Sequence, residues 1–272
     1  NEWVATESLY SEFVSDHRDD YVGARISLSK DGQTLAIGSP TSMHKCDSSR
    51  TGHVKIFKED DREKGSWMLS SIIHGEADLD RFGSSVALSA NGTVVAVGAD
   101  PFDEGESMEE RLNMGFVEVY EEGSDGNWTI VGNRLYGEDC ISDDRFHAYF
   151  GRDVSLSNEG KLLAVGGRGM VCVFEWSDAI ERWDLLGSPI GGDPRLSAVE
   201  FGAGVELAGG AEIVSVSEPP DYVVYEYTSD EWSQVGQYII EDLDMTDEEN
   251  DKNQNFDKNV EADFLSRHFV SD

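Results

Sequence analysis

Paired aspartates recur at one point of the chain's pattern and are its most suggestive chemical groups. They precede three apolar, strand-like segments, at Asp19 and Asp20, Asp78 and Asp80, and Asp143 and Asp144. Carboxylates gathered at one rim of a fold could hold calcium, which takes about six to eight oxygen ligands, or receive a basic partner. An aspartate before a strand can also cap its own turn and pair with a neighbouring arginine, such as Arg81 or Arg145. The sequence leaves both interpretations open.

A long acidic loop is the best candidate for a recognition element. The segment ADPFDEGESMEERLNM, residues 99–114, separates two strand-like segments, and loops of this length are uncommon unless they are functional or disordered. Its acidic side chains, with a histidine from a nearby connection, form the predicted ligand-binding set: Asp100, Asp103, Glu104, Glu106 and His147.

Catalytic patterns are thin, so the chain is predicted not to be an enzyme. The six histidines are scattered, and the sequence contains no H-E-x-x-H, G-x-S-x-G or phosphate-binding loop motif. His147 beside Asp143 and Asp144 is the nearest approach to an acid–base cluster. A polysaccharide-acting enzyme is the alternative, and it would require a carboxylate pair or a His and Tyr set.

Three cysteines and two N-x-[ST] triplets bear on the cellular compartment. Cys46 and Cys140 fall in loops that should share one face, where they either form a disulfide or stay free thiols, whereas Cys172 lies within a strand. Asn91 and Asn127 are candidate glycosylation acceptors. The cysteine count leaves the redox compartment open, and the two triplets favour an extracellular, cell-surface or luminal protein.

Net charge excludes some partners. With 21 Lys plus Arg against 55 Asp plus Glu, the formal charge is -34, which repels nucleic acid and anionic membrane surfaces. No run of about 18 apolar residues could insert into a bilayer. The expected partner is a protein or a glycan, and calcium is the one cofactor considered.

Four copies of one strand-rich unit set the fold. The copies begin GARISLSKDGQTLAIGSP at Gly23, FGSSVALSANGTVVAVGAD at Phe82, FGRDVSLSNEGKLLAVGGR at Phe150 and FGAGVELAGGAEIVSVSEP at Phe201. Each copy alternates apolar and polar residues around a turn, which predicts a β-hairpin. A third alternating strand and a fourth strand at a Trp follow (Trp67, Trp128, Trp183 and Trp232). The pattern predicts an all-β fold, a β-propeller of four-stranded antiparallel blades.

The pairs Phe82-Gly83, Phe150-Gly151 and Phe201-Gly202, with Gly38-Ser39-Pro40 and Gly98-Ala99, resemble the FG-GAP repeats of the integrin-α-like propeller family. The resemblance covers residues 1–240 and implies adhesion or recognition of a protein or glycan through loops on one rim. The family's D-x-[DN]-x-D-G calcium loop is not matched by SLSKDGQ, ALSANGT or SLSNEGK. Its calcium sites are therefore not assigned to these turns.

The sequence contains four full units and a strand at Trp3, which belongs to a partial N-terminal unit, and this count leaves open whether the ring is incomplete. The chain is then either part of a longer propeller, or a small ring closed by its termini or a second copy. Residues 241–272 carry many acidic residues and few apolar ones, and are predicted to be a disordered or partner-docked tail. The leading hypothesis is recognition through the acidic loops, and a structural subunit of a larger assembly is the alternative.

Overall fold

A computed structural model describes residues 22–42, 50–60, 65–78, 80–100, 115–141, 149–191, 201–208, 212–218 and 221–235. Within them the chain forms four antiparallel sheets, one for each repeat, and each sheet follows the chain order from its first to its fourth strand. We call them blades 1 to 4. The predicted all-β fold of four-stranded blades is confirmed.

Blade 1 contains β1 (Arg25–Leu28), β2 (Thr34–Ser39), β3 (His53–Glu59) and β4 (Trp67–His74). Blade 2 contains β5 (Phe82–Leu88), β6 (Val94–Ala99), β7 (Phe116–Glu122), β8 (Trp128–Ile130) and β9 (Leu135–Tyr136), followed by a 3-10 helix at Gly137–Asp139. Blade 3 contains β10 (Asp153–Leu156), β11 (Leu162–Gly167), β12 (Met170–Ser177), β13 (Arg182–Leu185) and β14 (Ile190–Gly191). Blade 4 contains β15 (Val205–Leu207), β16 (Ile213–Glu218), β17 (Asp221–Thr228) and β18 (Glu231–Gln234).

Each of the first three hairpins closes on a glycine and a serine. Gly32, Gly92 and Gly160 take positive φ angles of 73°, 68° and 68°, as the turn sequences predicted. A buried serine three residues earlier accepts a hydrogen bond through its Oγ from the start of the second strand; the pairs are Ser29 with Thr34, Ser89 with Val94, and Ser157 with Leu162. The serine therefore fixes the turn from inside, a role that the sequence analysis missed.

The blades stack through their first strands, which lie innermost. β1 packs against β5, β5 against β10, and β10 against β15. The inner strand has one unpaired edge, and side chains of the preceding blade cover part of it: Leu88 N donates to Ser27 Oγ, and Leu207 N to Ser155 Oγ, each at 3.0 Å. Three apolar cores fill the spaces between successive blades, so each sheet is stabilised by its neighbours.

The repeated glycines lie where two backbones meet between blades. A Cβ on Gly98, near the end of β6, would lie 2.2 Å from the carbonyl oxygen of Gly151. Gly38 meets Gly83 at 2.2 Å and Gly166 meets Gly202 at 2.1 Å in the same way. The Phe-Gly motif is therefore a point of close approach between neighbouring blades.

The Trp-bearing strands form the outer edges of the sheets, as predicted. Trp183 Nε1 donates to the carbonyl of Val131 at 3.2 Å, and Trp232 Nε1 donates to that of Leu186 at 2.9 Å. Each of these two indoles thus joins its own blade to the outer strand of the blade before it.

The Trp3 strand and the tail from 241 to 272 lie outside the described residues. Within the described part of the chain, no helix is long and apolar enough to cross a membrane.

Candidate functional site

The sheets have two ends, which we name by what lies there. The hairpin-turn face carries the turns between first and second strands and between third and fourth strands. The connection face carries the loops between second and third strands and the links from one blade to the next. Asn91 and Asn127 are both exposed on the hairpin-turn face, as predicted, and their glycosylation stays a prediction.

The structure places some of the predicted acidic residues on the connection face. Asp78 and Asp80 lie in the link between blades 1 and 2, and Asp100 follows β6. The other predicted metal and ligand-binding residues lie outside the described residues; they are Asp19, Asp20, Asp103, Glu104, Glu106, Asp143, Asp144 and His147.

Asp78 and Asp80 accept hydrogen bonds from the backbone. Asp78 Oδ1 accepts from Arg50 N at 2.5 Å, and Asp80 Oδ2 accepts from Ala77 N at 3.0 Å. The Asp80 contact fits the capping interpretation, because its donor is three residues away, whereas Asp78 accepts from an amide 28 residues away along the chain. Among the described residues, no three His, Cys, Asp or Glu side chains are grouped to hold a metal ion. Calcium binding by the paired aspartates stays a prediction.

A cluster of three carboxylates around one guanidinium lies on the described connection face. We call Glu76, Asp80, Glu118 and Arg134 the carboxylate cluster. Glu118 is only 4% exposed; it accepts a hydrogen bond from Arg134 Nε at 2.6 Å and another from the Tyr120 hydroxyl at 2.6 Å. Arg134 also donates to Glu76 Oε2 at 2.9 Å, so two blades share one ion-pair network.

The charges in the cluster do not balance. Burial raises the pKa of Asp80, and the nearby charges of Glu118 and Glu76 raise it further, although the Ala77 amide and Arg134 oppose this. Burial lowers the pKa of Arg134, but its hydrogen bonds to Glu118, Tyr136 and Glu76 outweigh that effect and raise it. Three acids facing one base leave surplus negative charge for a second cation.

The Glu118 position recurs in every blade and holds a different side chain each time. Strand register places Lys55, Glu118, Cys172 and Val223 at equivalent points of the four third strands. In blade 2 this position reaches the link from blade 1 through Arg134 and Glu76. In blade 3 it reaches the link from blade 2 through a disulfide between Cys172 and Cys140.

The predicted Cys46–Cys140 disulfide is therefore wrong. Cys140 follows the 3-10 helix and is buried against the third strand of blade 3, with its Cα 6.1 Å from that of Cys172. This Cα separation lies within the range that a disulfide can bridge. Cys172 was correctly predicted to lie in a strand, and its side chain faces the link that runs from blade 2 to blade 3.

This connectivity can be read from peptides. Digestion without reductant should release a fragment that joins the Cys140 and Cys172 peptides and separates when a reductant is added. Mass spectrometry identifies it directly. A fragment that joins Cys46 to Cys140 would contradict the structure.

A second acidic group lies on the inner strands. Asp153, at the start of β10, accepts a hydrogen bond through Oδ2 from Val205 N in blade 4 at 2.9 Å. Burial raises its pKa, although the Val205 amide and the charge of Arg25 act in the opposite direction. The carboxylate thus covers an unpaired edge amide at a desolvation cost.

Two substitutions of Asp153 should separate these effects. Because the pKa of Asp153 is raised in the folded state, the folded chain keeps the Asp153 proton at a pH where the unfolded chain has lost it. The stability that the protonated Asp153 contributes is therefore fully present below the pKa of Asp153 in the unfolded chain. It is lost as the pH rises through the pKa of Asp153 in the folded state. Asp153→Asn should flatten this dependence while it keeps an acceptor for Val205 N.

Asp153→Ala should instead lower the free energy of unfolding by about 1–3 kcal/mol, since it leaves that buried amide unpaired. Urea unfolding between pH 3 and 7 measures both variants. Equal stability of the Asn and Ala variants would show that the hydrogen bond has no role.

The structure brings together two histidines that the sequence showed only as scattered. His53 and His74 face each other across β3 and β4 with ring centroids 5.9 Å apart, and His53 Nδ1 lies 2.5 Å from Ser42 Oγ. Ser42 is buried, so the pair does not present an accessible nucleophile. The signal in sequence was the cross-strand register, which only a correct pairing of β3 with β4 reveals.

Comparison with known proteins identifies the fold. No protein-family model matches the sequence, and no curated protein matches it. The chain is similar to the periplasmic gluconolactonase of Pseudomonas aeruginosa, with 15% identity and a TM-score of 0.54 over 78% of this chain and 56% of that one. It is also similar to a β-propeller domain from Myceliophteria thermophila, with 12% identity and a TM-score of 0.43 over 71% of this chain and 49% of that one.

The chain therefore spans about half the length of these solved structures. At 15% identity the likeness to the gluconolactonase shows the fold alone, which is that of a β-propeller.

Proposed function

We propose that this chain is a non-catalytic recognition propeller whose connection face binds a protein that presents basic side chains. One observation carries the proposal: the carboxylate cluster sets three acids against one arginine at the surface, and its Glu76 arm is 76% exposed. A lysine or arginine of a partner would supply the missing positive charge.

Other features of the chain support this proposal. The formal charge of -34 attracts basic surfaces over distance and speeds encounter. The motif resemblance to FG-GAP repeats, seen at Phe82-Gly83 and its repeats, points to adhesion-type recognition. The Cys140–Cys172 disulfide suits an extracellular or luminal compartment.

A glycan is the second candidate ligand, and a cleft at the outer edge of blades 3 and 4 favours it. The cleft has a volume of about 290 Å³ and is lined by aromatic side chains beside a carboxylate, namely Tyr225, Trp232 and Glu231. Aromatic faces beside a polar group are typical of small-ligand sites.

Selection from a displayed peptide library tests the protein-binding proposal. The immobilised chain should enrich peptides that contain arginine or lysine, and their affinity should fall with rising salt. Glu76→Lys should weaken the enriched peptides about tenfold, since it repels the basic side chain that the cluster receives. Fluorescence titration measures the affinities.

Glu159→Lys is the matched control, because it makes the same charge change at an exposed residue of the hairpin-turn face. Peptides should bind this variant almost as tightly as the unchanged chain. Equal weakening by both substitutions would mean that the overall field, and not the cluster, attracts the peptides. Enrichment of peptides without basic residues would refute the proposal.

A further inference from the structure

Blade 1 has an uncovered apolar surface where every other described blade is covered. We call the side of a blade that faces the blade before it the front face, and the opposite side the back face. Ile26 and Leu28 on the front face of blade 1 are 67% and 57% exposed. Their equivalents are at most 9% exposed; they are Val86, Leu88, Val154, Leu156, Val205 and Leu207. Ile37, beside Ile26 on β2, is buried, so the exposure is confined to the inner strand.

In the other blades, the first two strands of the preceding blade cover this position. β5 packs on β1 and β2, and β15 packs on β10 and β11. At two of the three described interfaces the preceding blade also supplies a hydrogen-bond acceptor, since Ser27 and Ser155 accept from the amides of Leu88 and Leu207; blade 2 has Ala87 at this position. Leu28 holds the same repeat position as those two leucines. The exposed surface around Leu28 therefore fits the first two strands of another blade.

The opposite end of the stack is built differently. On the back face of blade 4, register places Ser217 and Tyr222 where the other blades have a Gly and a Val. The glycines at this position admit the carbonyl of the next blade at a distance where a Cβ would clash. Ser217 has that Cβ, and its Oγ accepts a hydrogen bond from Gly204 N at 2.7 Å.

A second copy stacked head to tail is therefore disfavoured. It would bring the back face of its blade 4, with Ser217, against Gly23 of blade 1. Gly23 has a φ of +80°, like the glycines that open the other blades, so its carbonyl requires a glycine opposite. The polar and bulky residues of blade 4 resemble a terminal cap instead.

The chain contains a sequence that fits the outer strand of the missing blade. Trp67, Trp128 and Trp183 precede the Gly that opens the next blade by 16, 23 and 19 residues, and Trp3 precedes Gly23 by 20. Outer strands do not cover the inner strand of the next blade. A Trp3 strand therefore leaves Ile26 and Leu28 to be covered by other strands of the same blade.

We propose that the front face of blade 1 is a blade–blade interface for an upstream blade of the same repeat type, whose fourth strand is the Trp3 segment and whose second strand ends in glycine. This blade buries Ile26 and Leu28 and supplies an acceptor to the Leu28 amide.

The test completes this blade with strands that are known to fit. Residues 150–181 of blade 3, with Cys172→Val in the copy, are joined directly before Glu2, so that Trp3 takes the place of Trp183. The copy provides Ser155 and Gly166 at the positions that the interface requires. Hydrogen exchange at the Leu28 amide should slow about tenfold or more relative to the unextended chain, while the Ser157 amide of the original blade 3, which donates to the carbonyl of Leu162, reports that the rest stays folded.

The matched control carries Gly166→Leu in the copied segment alone, and it should leave Leu28 unprotected. Unchanged exchange at Leu28 with normal protection at Ser157 of the original blade 3, whether or not the added strands fold, would overturn the proposal. Equal protection by the Gly166→Leu copy would overturn it too. Light scattering on the unextended chain adds a third arm: a dimer that Leu28→Asp converts to a monomer would assign the surface to a second copy instead.

Discussion

Glu118→Ala is expected to lower the free energy of unfolding by about 2–3 kcal/mol, because it removes the buried partner of a partly buried ion pair and leaves the hydrogen-bond donors of Arg134 and Tyr120 without this acceptor. Arg134 would lose its hydrogen bond to Glu118 and remain stacked at 4.3 Å over the Phe116 ring, with Glu76 and Asp80 left as its acidic neighbours. The Tyr120 hydroxyl would lose its acceptor as well. Chemical denaturation at pH 7 measures the loss.

Glu76→Ala is the matched control, since this carboxylate contacts the same arginine from the solvent side. Exposed ion pairs contribute about 0–1 kcal/mol, so the control should be much less destabilising. The double substitution Glu118→Leu with Arg134→Met should recover much of the loss, because apolar side chains of similar size avoid an unpaired buried charge. If Glu118→Ala costs no more than Glu76→Ala, the Glu118–Arg134 pair contributes no more to stability than an exposed ion pair.

The hairpins could be predicted because their determinants are local. Asp31-Gly32 and Asn91-Gly92 fix a positive φ within four residues, and apolar alternation then sets which strand faces pack. The outer placement of each Trp strand followed from the repeat order alone. The close approach of Gly98 to Gly151 was hidden, because a glycine in a strand suggests proximity without naming the partner.

The carboxylate cluster could not be predicted because its members come from distant parts of the chain. Glu76 and Arg134 meet only when the link from blade 1 returns beside the third strand of blade 2. The disulfide depends on the same return in blade 3, so a sequence argument based on shared loops weighed a Cys46–Cys140 bridge against free thiols and did not pair Cys140 with Cys172. Both contacts depend on how the link from one blade packs against the third strand of the next blade, and the repeat motifs do not encode that packing.

Gly98→Ala should lower the free energy of unfolding by about 3 kcal/mol, since overpacking between rigid surfaces forces them apart. The added methyl would lie 2.2 Å from the Gly151 carbonyl oxygen and 2.1 Å from Ser85 Oγ. Ser85 donates to that same carbonyl at 2.7 Å, so the inter-blade hydrogen bond would be displaced too. The backbone on both sides belongs to sheets, which leaves little room to relax.

Gly191→Ala is the matched control, because nothing lies within 4 Å of its added Cβ. This substitution should change the free energy of unfolding by no more than about 0.5 kcal/mol. Urea unfolding compares the two. Near-equal values would mean that the blades are not held at backbone contact by the repeated glycines, and the requirement for glycine in an upstream blade would lose its basis.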